Sequence, residues 1–116
     1  GVGYASWIKR RCQERHEEVE FESQFGSAIL DVVCTSKEGE KTGIEICLDA
    51  NAGNGVVAYN VSKAKKIVES VLCLSHLYLA FEDLKVMRRV DEELKLKSVG
   101  KVYCISLGEF APLERR

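Results

Sequence analysis

AILDVVCT (residues 28–35) and KTGIEICL (41–48) are two apolar runs rich in β-branched residues, separated by the polar turn SKEGE (36–40). Such runs, punctuated by Gly26 and Ser27 on one side and by a short turn between them, read as neighbouring strands of an antiparallel meander. One acid interrupts each run: Asp31 in the first, Glu45 in the second. An acid in mid-strand is costly, since even a neutral polar group left unbonded costs roughly 2–7 kcal/mol. Side chains alternate along a strand. Asp31 is therefore expected on one face with Ile29 and Val33, and Glu45 on one face with Gly43 and Cys47, opposite Ile44, Ile46 and Leu48. On adjacent strands the two carboxylates converge on one point. Two converging carboxylates suit a hard divalent cation such as Mg²⁺, with water or phosphate oxygens completing its shell. Such an ion lowers the pKa of a bound water and stabilises charge on a phosphate. The competing reading is an open sheet face on which both acids are simply solvated.

Working outward, residues 4–17 read as a helix, with Tyr4, Ile8 and Cys12 at i, i+4 and Trp7 beside them. VEFES (19–23) alternates and reads as a strand, and DANAGNG (49–55) reads as a loop. That loop is no phosphate-binding P-loop, because no Gly-Lys-Ser/Thr follows it. A second helix is expected over 58–72, where Val61, Ala64, Val68 and Val71 recur at helical spacing. HLYLAF (76–81) reads as a buried strand. DLKVMRRVDEELKLK (83–97) reads as a third helix, with Leu84, Met87, Val90 and Leu94 three or four apart. Gly100 breaks it, and KVYCISL (101–107) is the last strand. The order is α-β-β-β-α-β-α-β. Helices between the last strands imply crossover connections, hence an α/β mixed sheet with helices on both faces.

A chain of 116 residues holds one core, so residues 1–110 are expected to form a single domain and 111–116 a charged tail. With 46% hydrophobic and 30% charged residues, the composition argues against disorder. The net charge of −1 excludes a globally basic coat protein for nucleic acid. No apolar run reaches the roughly 18–20 residues that span a bilayer, and no signal-peptide pattern is present, so no membrane partner is expected. The chain starts at Gly1, which fits a trimmed protein or a domain cut from a longer one. Its five cysteines (Cys12, Cys34, Cys47, Cys73, Cys104) are odd in number and lack CxxC spacing. They read as small buried hydrophobes of a reducing cytoplasm, not as a disulfide framework or a zinc ribbon. Cys12 and His16 stand i, i+4, but two ligands are too few for a metal.

Asp31, a turn, then Glu45-Ile46-Cys47, within an α-β-β-β-α-β order, resembles the PD-(D/E)XK nuclease superfamily over roughly residues 1–107. GVGYASW at the start, the strand GIEICL, and Asn60 and Lys63 on the following helix resemble the restriction-endonuclease-like domains at the ends of some archaeal and bacterial ATPases of conjugation and DNA translocation. The resemblance implies a three-layer restriction-endonuclease-like sandwich. It implies Asp31 and Glu45 as metal ligands, the Ile46 carbonyl as a third, and Mg²⁺ or Mn²⁺ as the cofactor. It implies nucleic acid, DNA first, as the substrate, and a fused or partner ATPase. A first-helix glutamate also binds metal in many members; Glu14, Glu17 and Glu18 are available, and no pattern singles one out.

One position departs from the superfamily. Its lysine belongs two residues after the glutamate, and Cys47 stands there. A thiol offers no permanent positive charge. Lys63 is the substitute, since some members carry the lysine on the following helix. Asn60, Lys63 and Lys66 are expected to face nucleic acid, while the competing readings are an N-cap for Asn60 and solvated helix lysines for the rest. Lys9, Arg10 and Arg11, and Lys85, Arg88 and Arg89, form further basic clusters suited to phosphates or merely to water. His76 and Trp7 read as a strand-edge and a core residue, and no serine sits in a hydrolase elbow.

Three functional readings follow. The first is a metal-dependent nuclease using Asp31, Glu45 and Lys63. The second is a degenerate, non-catalytic relative that binds DNA or docks onto an ATPase. The third is a small α/β interaction domain unrelated to nucleic acid. A homodimer is compatible with each.

Overall fold

The computed structural model describes residues 2–15, 17–48 and 54–110. They form α1 (Val2–Glu14), β1 (Glu18–Phe25), β2 (Ala28–Thr35), β3 (Lys41–Cys47), α2 (Asn54–Ser70), β4 (Leu74–Phe81), α3 (Leu84–Leu96) and β5 (Val102–Ser106), followed by a 3-10 turn at Leu107–Phe110. The order of elements is the one expected. The five strands make a single sheet in the order β1-β2-β3-β4-β5. Short turns join β1, β2 and β3, which pair antiparallel, whereas α2 and α3 carry the chain back so that β3, β4 and β5 pair parallel.

The sheet is the middle layer of three. On one face, Val57, Val61 and Ala64 of α2 and Val86, Val90 and Leu94 of α3 pack against Leu77, Leu79 and Phe81. On the other, Ile8 and Cys12 of α1 pack with Leu107 against Val32, Ile44 and Ala80. These apolar stripes recur at three or four residues, the spacing that turns one helix face to a core. Asp83 caps α3: its carboxylate accepts the backbone N–H of Lys85 at 2.8 Å and of Val86 at 3.2 Å. No helix among the described residues is long and apolar enough to cross a membrane.

Three details differ from the sequence reading. First, α2 begins at Asn54, earlier than residue 58, and α1 ends at Glu14 rather than 17. Most of the 49–55 loop, His16 and the 111–116 tail lie outside the described residues.

Second, the alternation of β1 and β2 slips. Val32 and Cys34 pack on the α1 face, yet Leu30 and Val33 both pack on the α2 face. In β1, Val19 packs on the α1 face and Phe25, six residues on, packs on the α2 face. Period-two alternation forbids both unless each strand turns once. The turn falls at Glu22 and Asp31: the register runs Phe21↔Val32, then Ser23↔Leu30, and omits the pair between. Glu22 takes a left-handed φ of 50°. The far half of the hairpin therefore rolls toward α2. Asp31 does not share a face with Ile29 as expected, and Ile29 is left exposed.

Third, Cys12 and Cys34 form a disulfide across 22 residues of chain, tying α1 to β2. The expectation of five reduced cysteines is thereby corrected. Cys47, Cys73 and Cys104 are free. Burial pushes the thiols of Cys47 and Cys104 each up to about 12, which leaves both protonated and inert.

Candidate functional site

The ladder between β2 and β3 stops at Val32↔Ile44. One step further, where Asp31 would face Glu45, the side chains take over the backbone's bonds. Glu45 Oε1 accepts the Asp31 N–H at 3.4 Å, and Asp31 Oδ2 accepts the Ile46 N–H at 2.9 Å. The two carboxylates thus satisfy amides that the corner in β2 pulls out of the ladder. The convergence expected from strand alternation is present, with the corner setting its geometry.

Glu45 is 1% exposed and points into the α2 side of the sheet. Its Oε2 is buried and takes no hydrogen bond. Lys63 Nζ, reaching down from α2, stands 3.4 Å from that oxygen. Burial, then contact with Asp31, raises the Glu45 carboxyl from 4.5 to about 7, with Lys63 opposing the rise. For Lys63, burial acts to lower the pKa, but Glu45, Tyr59 and Asp31 together carry it above its ordinary value. Lys63 therefore keeps its proton at neutral pH.

Lys63 also lies 5.9 Å from the centre of the exposed Tyr59 ring, one helical turn back. Sequence reasoning missed Tyr59. Its i, i+4 spacing to Lys63 is the signal that was there to use.

The other expected residues divide. Ile46 joins the site through its amide, which Asp31 holds. Cys47 lies beside Glu45 and is buried, its thiol 3.9 Å from the Glu45 carbonyl. Lys66 is exposed on α2, one turn beyond Lys63. Asn60, expected at the nucleic-acid surface, is only 5% exposed, and its amide donates to the Val56 carbonyl at 3.0 Å. It is neither an N-cap nor turned to solvent, because α2 starts a turn and a half earlier. Glu14 and Glu18 are exposed, and Glu17 lines a separate cavity under α1.

The donor set fits a hard divalent cation: two carboxylates on neighbouring strands, one of them with a buried oxygen whose partner among the described residues is the Lys63 ammonium at 3.4 Å. Among the described residues no third His, Cys, Asp or Glu completes a cluster.

The raised Glu45 carboxyl has a consequence for the metal-free protein. A carboxyl whose pKa rises on folding binds more protons in the native state. Its stabilising contribution is full below about 4.5 and declines as pH rises toward and past about 7. At roughly 1.4 kcal/mol per unit, the loss is at most roughly 3–4 kcal/mol. Urea unfolding in EDTA should show the wild type losing more stability between pH 5 and 8 than Glu45→Gln does. Parallel pH profiles would count against the raised value.

No known protein family matches the sequence, and no curated protein does either. The fold does have a solved counterpart, the crystal structure of a repair endonuclease from Pyrococcus abyssi. The two superimpose with a TM-score of 0.57 at 15% identity, over 90% of this chain and 45% of that one. The chain thus spans under half the length of that protein. At this identity the likeness concerns the fold, which is the restriction-endonuclease-like α/β sandwich.

Proposed function

We propose that this domain is a metal-dependent nuclease that hydrolyses phosphodiester bonds of nucleic acid, DNA in the first instance. The observation that supports it most is the buried Oε2 of Glu45, held between Asp31 and the Lys63 ammonium. Asp31 and Glu45 would hold Mg²⁺ or Mn²⁺, with the Ile46 carbonyl as a further oxygen donor. The cation, when bound, would lower the pKa of water and neutralise phosphate charge. Lys63 supplies the positive charge that Cys47 does not, and its position lets it face the non-bridging phosphate oxygens. Hydrolysis forms a bond from water oxygen to phosphorus and breaks the ester P–O bond, and the departing oxygen takes a proton from solvent. Lys66, exposed on the same face of α2, would meet the flanking backbone.

The test is incubation of the protein with single-stranded, double-stranded and branched DNA in Mg²⁺ and in Mn²⁺, with Glu45→Ala beside it. Metal-dependent cleavage by the parent and its loss in Glu45→Ala is the expected result. Equal cleavage by both would sink the proposal.

A second reading rests on Cys47, a neutral thiol at the superfamily's lysine position. In it the domain binds DNA, or docks onto a fused or partner ATPase, without cutting. Inert parent protein that gains activity as Cys47→Lys would favour this reading.

A further inference from the structure

Three lysines project from the second half of α2, and their surroundings differ. Lys63 pairs with Glu45 at 3.4 Å and Lys65 with Glu69 at 4.0 Å. Lys66 makes no ion pair among the described residues. It lines, together with Lys63, a cavity of about 250 Å³ between α2 and the β1–β2 turn. Ser27 of the turn, Ala28 and Ile29 of β2, and Ile67 and Ser70 of α2 complete the wall. No acid lines it. The corner at Glu22 and Asp31 rolls the hairpin tip toward α2 and so gives this cavity its second wall.

We infer that this cavity is a second phosphate subsite, in which Lys66 with Ser27 and Ser70 holds the phosphate next to the scissile one. The inference rests on the nuclease reading and adds to it that a substrate is gripped at two consecutive phosphates. Lys63 and Lys66 are three residues apart, so they stand on one helix face with Cβ atoms about 5–6 Å apart. That distance is of the order of one step along a nucleic-acid strand. Lys63 belongs to both sites and fixes which phosphate is which. The hydroxyls supply short donors that a lysine alone does not, and the apolar floor of Ala28 and Ile67 keeps bulk water from one side. Lys65, paired and directed elsewhere, is the internal control.

The experiment measures binding of a fluorescein-labelled oligothymidylate by anisotropy in EDTA across a series of salt concentrations, where no metal-dependent cleavage intervenes. Each phosphate neutralised on a single strand contributes about 0.7 to the slope of log affinity against log salt. Lys66→Ala should bind about tenfold more weakly at low salt, with the slope shallower by about 0.7. Lys65→Ala should change neither. Ser70→Ala should weaken binding while leaving the slope alone, because it removes a donor and no charge. Equal behaviour of Lys66→Ala and Lys65→Ala would overturn the subsite. In Mn²⁺, the ratio of kcat/KM for the oligothymidylate to that for a thymidine ester with a single phosphodiester should fall in Lys66→Ala; an unchanged ratio also overturns it. If the parent cleaves neither substrate, the nuclease reading fails, and the anisotropy series alone decides the subsite.

Discussion

Lys63→Ala should cut metal-dependent cleavage by about 10²–10³-fold, the range found when one preorganised donor to transition-state charge is removed. Lys63 Nζ is the cation next to the buried Glu45 oxygen, at 3.4 Å, and it is charged at neutral pH. On the proposed mechanism, its removal takes away the positive charge that would stand in for a lysine at Cys47. It also leaves Glu45 with its desolvation less compensated, so the carboxyl should titrate higher still. The variant is expected to fold, because the Lys63 side chain is 40% exposed. Lys63→Ala combined with Cys47→Lys is the informative partner. Cys47 is on the Glu45 face of β3, so a lysine there brings an ammonium to the same carboxylates from the sheet. Partial recovery of kcat in the double variant would establish that the charge matters and its point of attachment does not. Unchanged cleavage in Lys63→Ala would remove Lys63 from the mechanism.

Reduction of the Cys12–Cys34 bond should lower stability by about 3 kcal/mol, the loop-closure value for a cross-link across roughly 20 residues. For a domain of this size the melting temperature should fall by roughly 10 °C in reductant. The double variant Cys12→Ala, Cys34→Ala should melt at the reduced value with or without reductant. Thiol titration of the unfolded chain without reductant should find three free thiols, against five after reduction. Five thiols before reduction, or an unmoved melting temperature, would show that α1 is held to β2 by packing alone.

These residues also mark how far the sequence could be read. Asp31 and Glu45 were legible because a charge inside a β-branched run demands a reason, and the alternation within each run gave their direction. Lys63 was legible because it lies at the edge of the apolar stripe of the covering helix, although that helix begins earlier than expected and Lys63 stands past its midpoint. The corner was not. Nothing in VEFES or AILDVVCT signals a change of face, since the signal is the left-handed backbone of Glu22, a residue type with no special tolerance for it. The shared face of Asp31 with Ile29 was therefore misread, while its convergence with Glu45 survived because the slip lies on the far side of Asp31. The disulfide was hidden for another reason. Cys12 is on a helix and Cys34 on a strand, and their approach depends on how α1 lies across the sheet, which no spacing records. Asn60 was misplaced because the helix began earlier than its apolar stripe: the turn containing Asn54 and Gly55 carries little hydrophobic pattern to announce it.

The corner at Glu22 and Asp31 divides the β1–β2 hairpin into two parts that answer to different demands. In β2 the near-side residues must keep strict alternation, because Val32 and Cys34 pack under α1 and Val33 under the α2–α3 layer. Those beyond it obey their own phase and touch the rest of the molecule mainly along α2. Changes of length or chemistry at the tip, around Gly26 and Ser27, can accordingly accumulate without rotating Asp31 away from Glu45. The break thus uncouples the tip of the hairpin from the strand pair that holds the two carboxylates.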